Sequence, residues 1–134
     1  MGTLIDVDTL IAAEAGFVAL RDVLGSSEPV GIAAPTATEL LETVERTDDP
    51  ALRAHRASFV ERLLERVDVV PFDGPAARTR ARLEVVRPAG VDDRAMDVAA
   101  IAVSRGWAIA TGNGRYDRIP AVTVRKIEAS ETSA

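Results

Sequence analysis

Short apolar runs alternate along this chain with longer stretches whose apolar positions recur at helical spacing. Leu4 and Ile5, with Thr3 beside them, predict a short buried strand that ends at Asp6. From Thr9 to Glu14, and again from Phe17 to Leu24, the pattern is helical, broken at Gly16 and closed at Gly25. Pro29 to Ala34 predicts a second strand bounded by Pro35. Thr36 to Arg46 predicts a helix, with Thr36 placed to cap it and Glu39 three residues on, as in a capping box. Pro50 to Arg66 predicts a long amphipathic helix with Leu52, Phe59, Val60, Leu63 and Leu64 along one side.

Strand character returns at Val67 to Phe72. Residues 74–86 predict a helix, stopped by the run Arg87-Pro88-Ala89-Gly90. Asp93 to Gly106 predicts another, with Gly106 just past its C-terminus. Trp107 to Thr111 predicts a buried strand, 112–120 a loop and 121–127 a final strand. The expected domain is 1–128, followed by a polar tail, 129–134. Strands alternating with helices predict an α/β fold, a three-layer α/β/α arrangement with a mostly parallel central sheet. Ligands of such sheets bind beyond the carboxyl ends of the strands, where the strand order reverses.

That rule singles out several polar residues. Asp6 ends the first strand, Glu39 lies early in the helix after the second, and Asn113 follows the strand ending at Thr111. Asp97 sits early in a helix whose remaining face, Val98, Ile101 and Ala102, is apolar, and a carboxylate there costs free energy unless paired or bound to a cation. Each acid also has an ordinary structural reading: Asp6 as a turn or cap residue, Glu39 as a capping-box or solvated acid, Asp97 as a first-turn acid meeting the helix dipole. Together they describe an oxygen-only donor set suited to a hard cation, Mg²⁺ or Mn²⁺. Asp92 and Asp93, just before Asp97, are further candidates to support this set, and capping of the helix explains Asp93 equally well.

Composition narrows the classes. The 134 residues are 47% hydrophobic and 28% charged, which suits one globular domain. No apolar run reaches the length of a membrane span, and no secretory signal is recognisable, so a soluble cytoplasmic protein is expected. With no cysteine, disulfides, zinc–thiolate sites and thiol catalysis are excluded. A net charge of −5 argues against a generic nucleic-acid coat but not against an enzyme that meets phosphates through metal ions. His55, the only histidine, stands between Arg53 and Arg56 and reads as a surface residue. Arg78 and Arg82 share a helix face that Arg80 does not; they read as a solvated face, an RNA guide, or a dock for an acidic partner segment.

The stretches "LIDVDTLIA", "TATELLE", "DVAAIAVSRGWAIATGN" and "RIPAVTV" follow one another in the order and spacing of PIN-domain ribonucleases. The chain resembles most the VapC-type toxins of bacterial toxin–antitoxin pairs, over essentially its whole length. That resemblance implies that Asp6, Glu39 and Asp97 are metal-site acids and that Asn113 fills a fourth position, aspartate or asparagine in the family. Asp8 would support the site or cap a helix, and Thr111 would orient the site through its hydroxyl. The stretch between Asn113 and "RIP" is about one residue shorter than usual, which leaves Asp117 as an alternative fourth carboxylate. Also implied are an Mg²⁺- or Mn²⁺-dependent endoribonuclease, an RNA substrate, a homodimer and a cognate VapB-type antitoxin.

Overall fold

The computed structural model of the chain describes residues 1–16, 20–24 and 27–127. Phe17, Gly25 and the polar tail 129–134 lie outside the described residues. The elements are β1 (Thr3–Ile5), α1 (Val7–Glu14), α2 (Arg21–Leu24), β2 (Val30–Ala33), α3 (Ala34–Glu45), α4 (Pro50–Arg66), β3 (Asp68–Val70), α5 (Gly74–Glu84), α6 (Asp93–Arg105), β4 (Ala108–Thr111), a 3₁₀ turn (Gly114–Arg118) and β5 (Thr123–Lys126).

The five strands form one sheet in the order β3-β2-β1-β4-β5, and every pairing is parallel. Side chains alternate between its faces, so adjacent residues feed separate cores. Leu4, Ala33 and Ile109 pack with Met96, Ile101 and Leu83 of α5 and α6. Ile5 and Ile32 pack with Leu10, Leu40, Val60 and Leu63 of α1, α3 and α4. The three layers expected from the sequence are therefore present. Gly31 is needed in β2, because a Cβ there would lie 2.9 Å from both the Asp68 carbonyl oxygen and Val70 Cγ2. Trp107, expected inside a central strand, instead precedes β4 and packs partly buried against the core. A Cβ on Gly2 would fall within 2.2 Å of its ring.

Three helix starts differ from the sequence expectation, and each affects the site. Asp6 itself caps α1, its carboxylate accepting from the Thr9 amide, so the helix begins at Val7 and Asp8 is not the cap. The third helix begins at Ala34, because Pro35 with its fixed φ fits the first turn. Thr36 is therefore inside the helix and buried rather than capping it, and Glu39 closes no capping box. Asp92, not Asp93, caps α6 by accepting from the Ala95 amide. Gly106 ends α6 in the left-handed region, at φ 68°. The loop predicted for 112–120 contains the 3₁₀ turn, which Asn113 caps.

From β1 the chain adds β2 and then β3 on one side, then crosses to place β4 and β5 on the other. The order reverses between β1 and β4, the crevice where parallel sheets hold ligands. Asp6 follows β1 and Thr111 ends β4, so both stand at that reversal.

Candidate acidic site at the carboxyl edge of the sheet

Asp6 has no solvent exposure, and both its carboxylate oxygens are engaged. One accepts from the Thr9 amide at 2.9 Å; the other accepts from the Thr111 hydroxyl at 2.5 Å. The Thr111 oxygen in turn accepts from the Asn113 amide at 2.9 Å. Asn113 Nδ2 donates to Asp8 Oδ2 at 2.8 Å, and its Oδ1 accepts from the Arg115 amide at 2.9 Å. Asp6, Thr111, Asn113 and Asp8 thus form one hydrogen-bonded unit that ties α1 to the end of β4. Among the described residues Asp6 has no ion-pair partner, so a fully buried carboxylate rests on two hydrogen bonds.

The other acids face arginines. Arg115 reaches Asp8 Oδ2 at 2.6 Å. Arg94 lies 3.5 Å from Glu39 and 2.6 Å from Glu42. The hydrogen bond to Glu42 is the main reason the Arg94 guanidinium is pushed above its ordinary range, and it holds the Glu42 carboxyl below the usual value. Arg80 Nε donates to Asp97 Oδ1 at 2.9 Å, while its other nitrogens reach Glu84 and Asp93. Glu84 first, and Asp97 after it, raise the Arg80 pKa. Arg87 completes this network by bridging Glu84 and Asp93. Asp93 is therefore an ion-pair residue of the rim, and Asp117 pairs with Lys126 of β5 at 3.2 Å.

Tyr116 lies beneath these groups, 3% exposed, with the Arg115 guanidinium 5.4 Å from its ring centre. Burial pushes its phenol well above the ordinary value. Arg115 opposes that shift, and the carboxylates of Asp6, Asp8 and Glu39 reinforce it.

The structure accordingly brings Asp6, Asp8, Thr111 and Asn113 into direct contact. Glu39 on α3 and Asp97 on α6 are each held by an arginine of their own, and Asp117 turns to β5. Carboxylate and amide oxygens are the donors a hard cation requires, so the chemistry of the set fits Mg²⁺ or Mn²⁺. The set is not gathered around one point: among the described residues no three of Asp, Glu, His or Cys converge to hold an ion. Sequence reasoning missed Arg80, Arg94 and Arg115 as the partners of these acids, and missed Tyr116. The available signal was spacing, since Arg94 lies three residues before Asp97 and Arg115 two after Asn113. His55 is exposed on α4, as expected.

No protein-family model matches the chain, and no curated protein matches it. Solved structures do. A chain of VapBC2 from Rickettsia felis, bound to a DNA fragment from its promoter, superposes with a TM-score of 0.82 at 14% identity, covering 96% of this chain and 100% of that one. VapBC-5 of Mycobacterium tuberculosis, of the VapBC family of toxin–antitoxin systems, gives 0.75 at 24% identity, covering 95% and 98%. The chain has the PIN-like fold. DNA-bound VapBC from Salmonella typhimurium shares it, with a TM-score of 0.79 at 23% identity and 94% and 98% coverage. In this PIN-like fold the reversal between β1 and β4 carries the Asp6 unit. No helix among the described residues is long and apolar enough to cross a membrane.

Proposed function

We propose that this chain is the toxin of a toxin–antitoxin pair and a metal-dependent endoribonuclease. The observation that carries the reading is the hydrogen-bonded unit of Asp6, Thr111, Asn113 and Asp8 at the strand-order reversal, in a fold shared with VapBC chains. Asp6, Glu39 and Asp97 would hold Mg²⁺ or Mn²⁺, with Asn113 in support. Such an ion, when bound, activates water and offsets the charge of an in-line phosphodiester displacement. The chain itself supplies position and charge. Thr111 fixes the Asp6 carboxylate, and Asp8 and Asn113 fix the loop after β4. Arg80, Arg94 and Arg115 offset the repulsion among neighbouring carboxylates.

The partner in this reading is a VapB-type antitoxin, the kind of assembly formed by the similar structures. A groove between α1, α3 and α4, apolar at Leu10, Leu40, Phe59 and Val60 and polar at Glu14, Thr43 and Arg56, would supply a surface for it. A homodimer in the cytoplasm belongs to the same proposal. Inducible expression tests it: the wild-type chain should arrest growth and fragment cellular RNA, and co-expression of the protein encoded immediately upstream should reverse both. Asp6→Asn combined with Asp97→Asn should abolish arrest and cleavage, and their persistence in that variant refutes the reading.

One observation favours a second reading, a PIN-like module that binds without cleaving. Asn113 stands where a fourth carboxylate would help, and Asp8, Glu39 and Asp97 are paired with arginines instead of converging. Titration with Mn²⁺ separates the two, because a cleaving site binds the ion and loses it on Asp97→Asn.

A further inference from the structure

The three arginines of α5 have different neighbours. Arg78 and Arg82 line a groove with Val103 and Ser104, at the C-terminal end of α6. Arg80 instead meets the first turns of α6, where Asp93 and Asp97 stand one helical turn apart. Its side chain is only 17% exposed, and each of its guanidinium nitrogens reaches a different carboxylate. Nη1 donates to Glu84 at 2.6 Å, Nη2 to Asp93 at 3.3 Å, and Nε to Asp97 Oδ1 at 2.9 Å.

These acids are not compensated equally. Arg87 Nη1 also donates to Glu84, at 3.1 Å, and to Asp93, at 2.7 Å, so two guanidiniums bond each of those carboxylates. Asp97 is bonded by a single nitrogen, and among the described residues its Oδ2 accepts no hydrogen bond. Three carboxylates against two guanidiniums leave the network one negative charge, and Asp97 is the acid least neutralised. A guanidinium is planar and rigid, so fixing its two Nη atoms fixes the direction of Nε–H. Glu84 and Asp93 therefore aim Arg80 at Asp97, and Arg87 in turn anchors both of them.

We propose that Arg80 is a positioning residue for the divalent ion, holding Asp97 by Oδ1 so that Oδ2 stays free for Mg²⁺ or Mn²⁺. This rests on the reading above that Asp97 is an ion ligand, and it assigns the α5–α6 ion network to that site. Hydrogen bonds to a ligating carboxylate fix its orientation, and losing one weakens metal binding about 10–100-fold. The opposing role is a guanidinium that competes with the ion for Asp97. Against it, Arg80 divides its charge among three carboxylates and gives Asp97 one hydrogen bond, not the paired bonds of a fork-to-fork contact.

Mn²⁺ binding to the intact protein, followed by electron paramagnetic resonance of the free ion, tests this without reference to cleavage. Arg80→Gln should bind at least about tenfold more weakly than wild type. Arg80→Lys keeps the charge but has a single nitrogen, and it should remain as weak. Arg87→Gln breaks the same network without touching Asp97 and should bind at least as tightly as wild type. Urea denaturation of each variant records stability separately. A purely structural role would lower stability in both Gln variants without distinguishing their affinities. Unchanged or tighter binding by Arg80→Gln, full recovery in Arg80→Lys, or equal weakening in Arg87→Gln each overturns the proposal. Wild type that binds no Mn²⁺ overturns the metal reading as well, so the two failures are distinct.

A second measurement needs no substitution at Arg80. The Nε–H resonance of Arg80 in ¹⁵N spectra of the wild type should shift as Mg²⁺ is added, and the shift should vanish in Asp97→Asn. An Nε–H signal that ignores Mg²⁺ while the α6 amides around Asp97 respond overturns the positioning role, whether or not the Arg80 variants fold.

Discussion

Thr111→Val removes a hydroxyl from a fully buried side chain without changing its shape. That hydroxyl donates to Asp6 at 2.5 Å and accepts from the Asn113 amide at 2.9 Å. A hydrogen bond to a charged group contributes about 2 kcal/mol, and the neutral amide bond about 1, so the substitution should cost about 3 kcal/mol. That is roughly a 150-fold change in the unfolding equilibrium. For a domain of this size the melting temperature should fall by about 10 °C. Urea denaturation followed by circular dichroism measures the change, with the denaturant slope expected to stay constant. A double-mutant cycle with Asp6→Ala should give a coupling of at least about 1 kcal/mol, since both changes break the same bond. A loss below about 1 kcal/mol, or additivity in the cycle, refutes the claim that Thr111 holds Asp6 in place.

Tyr116 is the only tyrosine, so absorbance at alkaline pH reports it alone. Its folded pKa is raised, so the native phenol keeps its proton above the unfolded value of about 10, and stability should be lost as pH climbs past that value. Phenolate should appear together with unfolding, whereas ionisation near pH 10 in the folded protein contradicts the burial. Gly2→Ala should destabilise the chain by about 1–3 kcal/mol through overpacking and shift the emission of Trp107, because the added methyl overlaps that ring. An unchanged urea midpoint and spectrum argue against the close contact.

Much of the fold was legible because strand and helix periods differ, and parallel sheets need helices on both faces. Leu4 and Ile5, adjacent in a three-residue strand, feed different cores, which a period of two requires. Helix ends were less legible where two caps compete. At Ala34 the fixed φ of Pro35 outweighs the hydroxyl of Thr36, and at α6 Asp92 takes the capping position from its neighbour. Asp6, Asp8, Thr111 and Asn113 meet as parts of one site because strand-end positions of β1 and β4 are adjacent in a parallel pairing. Arginine partners could not be read off, because which acid a long guanidinium reaches depends on tertiary contacts. The pairing of Arg80 with Asp97, 17 positions apart, follows from how α5 and α6 pack.

Cleavage of a defined single-stranded RNA by the purified protein, titrated with Mg²⁺, tests the central claim most directly. Turnover should rise with Mg²⁺, stop with EDTA and disappear in a folded Asp97→Asn variant. Cleavage that persists in EDTA, or in that variant, contradicts it.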